Sequence, residues 1–172
     1  MQRHVEKFGI SGKRGRASTR PDPYLAEAGI KEPAVCQACQ AVYRNKSWHL
    51  DPLLAGKLAG DSAVHWVTCP GCQKVAGQYA EGIVTLRGSY LWNHEAEIRH
   101  ILDNTMARFT SRNPREQVIR MQQSADAMII ETTDSKLAEH LGRSLQRAHS
   151  GELQIDWQGS PVVCRVQWER WH

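Results

Sequence analysis

Cys36-Gln-Ala-Cys39 and Cys69-Pro-Gly-Cys72 are two CxxC pairs separated by the 29 residues from Gln40 to Thr68. A CxxC turn presents two thiolates to one ion from a short loop, and two such turns supply the four ligands of a tetrahedral site. The spacing therefore predicts that Cys36, Cys39, Cys69 and Cys72 bind one structural Zn(2+). Four thiolates close the coordination shell and leave no position for a reactive water, so the predicted role of the metal is to hold the chain together. In zinc-finger peptides such a site contributes on the order of 10 kcal/mol to folding. A redox dithiol is the rival chemistry, since a single CxxC can form one, but two knuckles in one chain favour the metal. His49 and His65 are possible substitute ligands outside the knuckles, and the fifth cysteine, Cys164, falls on the apolar side of a strand pattern and reads as core.

No other residue pattern suggests catalysis. The chain has no Gly-rich phosphate loop, no HExxH and no GxSxG elbow, and its eight histidines form no recognisable catalytic arrangement. The expectation is a protein that is not an enzyme and has no small-molecule substrate. The charges point instead to a polyanion. The formal net charge is +4, and Met1–Arg20 carries Arg3, Lys7, Lys13, Arg14, Arg16 and Arg20 against Glu6 alone. A basic, apolar-poor segment of this kind reads as a flexible arm attracted to phosphates. Lys136, His140, Arg143 and Arg147 fall at i, i+4, i+7 and i+11, one basic stripe on a helix, and Arg108, Arg112 and Arg115 add charge at the end of the helix before it. Such residues suit phosphate contacts, which give affinity without reading sequence. If exposed, Lys46, Trp48, Lys57 and Lys74 could add a base-stacking residue among cations, whereas Trp157 and Trp168 read as core.

These residues need elements to position them. At 172 residues the chain holds one domain or two small ones, and no apolar run approaches the roughly 20 residues that cross a bilayer. With five cysteines and no export signal, it reads as a cytoplasmic protein without membrane contact. Composition divides it into a basic tail (1–23), a four-cysteine zinc ribbon (24–91) and an α+β domain (92–172). In the last, a helix over Trp92–Asn113, with Asn93 as N-cap, carries Ile98, Leu102, Met106 and Phe109 at helical spacing. The runs 117–123 and 127–132 form a hairpin, and a helix with Leu137, Leu141 and Leu145 on one stripe follows a cap at Thr133, Asp134 or Ser135. Two alternating strands end the chain, through Leu153, Ile155 and Trp157 and then Val162, Cys164, Val166 and Trp168. The order helix, two strands, helix, two strands predicts a small antiparallel sheet with its helices on one face.

The run Met128-Ile-Ile-Glu-Thr-Thr-Asp-Ser-Lys-Leu-Ala-Glu-His-Leu, then Gly151-Glu-Leu and Val163-Cys-Arg-Val-Gln-Trp, resembles the zinc-ribbon proteins of the nonsense-mediated decay protein three family. The Ser-x-x-Leu-Ala helix start, the Arg165-Val166 pair and the upstream CxxC knuckles carry the likeness, over about residues 35–168. Archaeal and eukaryotic members associate with the large ribosomal subunit, the eukaryotic one as its export adaptor. The resemblance thus implies a ribosome or ribosomal-RNA partner, with ribosomal proteins as further contacts, and a role in translation, assembly or subunit storage. The longer members carry additional CxxC pairs and transport extensions, so this chain looks like a short bacterial relative. A protein-interaction or regulatory module, a redox or metal-dependent enzyme, and a DNA-binding ribbon are the competing readings.

Overall fold

The computed structural model describes residues 23–24, 29–159 and 162–172. The cationic tail, Arg3 to Arg20, lies outside them.

The cysteine-bearing half is built from very short elements. β1 (Ala34–Cys36), β2 (Val42–Arg44) and β3 (Ser47–His49) run antiparallel, α1 (Pro52–Leu58) crosses over, and β4 (His65–Val67) returns parallel to β1, giving the order β3-β2-β1-β4. The β2–β3 turn has φ of 51° at Asn45 and 60° at Lys46, the double left-handed geometry of a two-residue hairpin. The Glu32 carboxylate fixes it by accepting from both backbone N–H groups, at 3.2 and 2.9 Å. α1 starts at Pro52 because the Asp51 side chain accepts from the Leu54 N–H at 3.0 Å. Its Ala55, Leu54 and Leu58 cover Val35 and Val42 on one face of the sheet, while Trp48, Tyr43 and Cys36 pack on the other. α2 (Pro70–Ala76) grows directly out of the second knuckle.

The second half contains β5 (Gly82–Arg87), α3 (Ser89–Asn93), α4 (Glu95–Arg112), β6 (Val118–Gln123), β7 (Ala127–Thr132), α5 (Ser135–His149), β8 (Glu152–Gln158) and β9 (Val163–Glu169). The five strands lie in the order β6-β7-β5-β9-β8. Alternation puts Val84 and Leu86, Met128 and Ile130, and Cys164, Val166 and Trp168 on one face, all fully buried against Leu137, Leu141 and Leu145 of α5 and Ile98 and Leu102 of α4. Gly142 permits the close seat of α5 on β9, since a Cβ there would stand 2.4 Å from Val166 Cγ1. Asp134 caps α5 by accepting from the N–H groups of Lys136 and Leu137 at 2.8 and 3.3 Å.

The mixed α+β class and the helix layer on one face agree with the sequence reading. Four particulars differ. The segment 24–91 contains β5 and α3, which belong to the second half, and β5 is the central strand of its sheet. The sheet is mixed, not antiparallel, because β9 pairs parallel to β5, a pairing that needs a long crossover and finds it in everything between them. Asn93 caps no long helix: α3 ends there, and His94, at φ −123° and ψ 26°, separates it from α4. Trp168 is core, but Trp157, on the edge strand β8, is 49% exposed.

Candidate metal centre

The parallel pairing of β1 with β4 places Cys36 opposite Val67, so the first knuckle and the start of the second lie side by side. In the first, Gln40 adopts φ 60° and its N–H returns to the Cys36 carbonyl at 2.8 Å, turning Cys39 back toward Cys36. In the second, Cys69 occupies the N-cap of α2, and its sulfur accepts from the Cys72 N–H at 3.4 Å. The Cys69 N–H in turn donates to Cys36 Sγ at 3.2 Å, across the two knuckles. All four sulfurs lie within 4.8 Å of one another, with Cys39 and Cys69 at 3.8 Å, and none is in a disulfide. These four residues could hold one metal ion; His49 and His65 stand outside the cluster.

Crowding makes the thiols interdependent. The hydrogen bonds that Cys36 receives from Cys39 and Cys69 depress its pKa, and the same sharing, with burial, pushes Cys39 up to about 12 and Cys69 upward as well. Negative charges on neighbouring sulfurs repel one another, so ionising Cys36, Cys39 and Cys69 together calls for a cation among them. Cys164, remote from the cluster, is buried and pushed up to about 12 by desolvation, as suits an inert core thiol.

The second knuckle is also docked on the larger half. Gln117, just before β6, donates through Nε2 to Cys72 Sγ at 3.5 Å and to the Pro114 carbonyl at 2.6 Å. Gly71 sits so close that an added Cβ would stand 2.6 Å from Arg115 Cα. Lys74 of α2, only 7% exposed, donates to Glu81 at 2.8 Å just ahead of β5. Sequence reasoning missed Gln117, because its partner is 45 residues away; no local signal marks it.

The predicted cations fall into separate places. Lys136, Arg143 and Arg147 are exposed along α5, and Arg108 reaches the same surface from α4. His140, half-buried and 4.7 Å from the Phe109 ring, has its pKa lowered by burial and by the charges of Arg108, Arg147 and Arg143 against the opposing Glu139. Arg143 pairs with Glu139 at 2.9 Å. Arg112 is exposed at the end of α4, while Arg115 sits apart, beside the knuckle. Two expectations fail here. Trp48 is 5% exposed, packed among the cysteines, and offers no open face for stacking, and Lys74 is buried in its ion pair.

No family model, curated protein or solved structure matches this chain. The likeness to the nonsense-mediated decay protein three family therefore stands on the sequence motifs alone. Among the described residues, no helix is long and apolar enough to cross a membrane.

Proposed function

We propose that the protein is a zinc-binding, non-enzymatic factor that binds RNA, with the ribosome as its site of action in the cytoplasm. Zinc is favoured by the donor set. Four sulfurs about 2.3 Å from a tetrahedral ion stand about 3.8 Å from one another, the separation found between Cys39 and Cys69. In this reading the cysteine unit is a short-chain relative of the resembled zinc ribbons, and the metal organises a recognition surface.

The observation that carries the RNA part is the convergence of Arg108 and Arg147 around His140, beside the Arg143–Glu139 pair, on the exposed side of α4 and α5. Like charges held together repel, and a phosphate backbone laid across them relieves the repulsion. The ribosome part rests on the family resemblance. The test is sedimentation of the native protein through a sucrose gradient at low salt, with RNA affinity measured against salt. Replacing Arg108 and Arg147 by Gln should flatten the salt slope on single-stranded RNA by about 1.4, or about 0.7 per lost contact. A protein that stays at the top of the gradient and shows no salt-dependent RNA affinity would sink the proposal.

One observation favours a second reading, docking to another protein. Leu53 is 81% exposed, Leu50 41% and Trp66 49%, and Trp66 pairs with Val35 on the sheet face that α1 covers. Co-purification with one protein and no RNA would favour it.

A further inference from the structure

Resting on the RNA-binding reading, we propose that a groove on the cysteine unit, separate from the α4–α5 cations, holds unpaired nucleotides of single-stranded RNA. The groove has a volume of about 650 Å³ and opens on the sheet face opposite α1. That volume lies within the range of small-molecule pockets, about 300–1,000 Å³, and admits a nucleotide. Tyr43, half-buried and 5.2 Å from the Trp48 ring, gives it an aromatic floor. Lys31, Lys46 and Arg115 contribute cations, and Gln73 an amide, while no Asp or Glu is among the described residues that line it.

This combination decides the ligand class. Three cations with no carboxylate among the described lining residues favour an anion, and the nearby Glu32 carboxylate is taken up by the Asn45 and Lys46 N–H groups. An aromatic floor favours an anion that carries a flat ring. An acidic peptide would satisfy the cations but leave the tyrosine face unused. Paired bases in an RNA helix are stacked on one another and unavailable, so only unpaired nucleotides can enter. Lys46 is well placed for a phosphate: the β2–β3 turn holds its backbone in place through Glu32 and leaves its side chain exposed at the groove. The two RNA surfaces then divide the work. The α4–α5 cations hold backbone of any form, and the groove selects strands whose bases are free.

The test uses the full-length, metal-loaded protein and fluorescently labelled hexauridylate, with duplex RNA and hexaglutamate as competitors. Tyr43→Leu keeps apolar bulk beside Trp48 but removes the stacking face, and Lys31→Gln/Lys46→Gln removes two exposed charges. Each should weaken hexauridylate binding about tenfold and leave duplex binding within about twofold of wild type. Arg108→Gln/Arg147→Gln should weaken duplex binding. Unchanged metal content and circular dichroism confirm that the variants fold. If both groove variants bind hexauridylate like wild type, the groove assignment is wrong while RNA binding stands. Competition by hexaglutamate as strong as by unlabelled hexauridylate would overturn it in favour of an acidic peptide. Wild-type protein that binds neither RNA would remove the RNA reading itself, and the groove assignment with it.

Discussion

Gly71→Ala sets two effects of opposite sign against each other. Gly71 lies within α2, where alanine is the better helix former by about 1 kcal/mol, so on local grounds the change should stabilise. The tertiary contact says otherwise. The new Cβ would stand 2.6 Å from Arg115 Cα and 2.8 Å from its carbonyl oxygen, both backbone atoms. Carbon contacts are comfortable at about 3.5–4.0 Å, so the knuckle must move away by about 1 Å. Overpacking of this kind costs about 1–3 kcal/mol. The movement also stretches the 3.5 Å bond from Gln117 to Cys72, whose loss costs about 0.5 kcal/mol or more. The net effect is a destabilisation of about 1–2 kcal/mol, which for a chain of this size lowers Tm by about 5 °C. Thermal unfolding of the metal-loaded protein, followed by circular dichroism, measures it. Gly56→Ala is the internal control: it lies within α1, a Cβ there meets nothing within 4 Å, and it should raise stability by up to about 1 kcal/mol. If Gly71→Ala is as stable as wild type, or gains stability as Gly56→Ala does, the knuckle does not seat on the Arg115 backbone.

Removing the metal with a strong chelator should unfold β1 to β4 and leave the five-stranded sheet in place, because the core of that sheet contains none of the four cysteines. Hydrogen exchange would then show lost protection in the short strands and retained protection in β5, β7 and β9; equal protection before and after chelation would contradict it. Leu102→Ala, at a fully buried position between α4 and the sheet, should cost about 2–5 kcal/mol in urea unfolding, and a cost below about 1 kcal/mol would mean that α4 is not packed there. His140 has a folded pKa below its ordinary 6.5, so the unfolded chain binds the proton more readily. Its contribution to stability is present above about 6.5 and is lost as pH falls through the lower folded value. Unfolding free energy should therefore fall less between about pH 7.5 and 5.5 in His140→Gln than in wild type, and an identical fall in the two would refute the assignment.

The four cysteines are legible in the chain because each knuckle is a local object: two thiols three residues apart reach one ion whatever surrounds them. The hairpin of β6 and β7, the α5 stripe and the strands β8 and β9 are legible for the same reason, since their periodicity is written within each segment. The alternation in Gly82-Ile-Val-Thr-Leu-Arg was equally open to inspection, yet its destination was not. Whether that run belongs to the cysteine unit or to the larger sheet depends on pairings with Thr132 to Ala127 and with Cys164 to Glu169, dozens of residues away. Likewise, residue type makes Trp48 a stacking candidate and Trp157 a core candidate, and packing reverses both. The seat of Gly71 on Arg115 and the reach of Gln117 to Cys72 come from the same source. What the sequence by itself determined is the chemistry of the four-cysteine cluster and most of the separate elements, all set by short-range geometry. What only the tertiary structure decided is which faces are covered, which strands are neighbours and which cations share a surface, because burial is a property of what comes to lie against a residue and not of the residue itself.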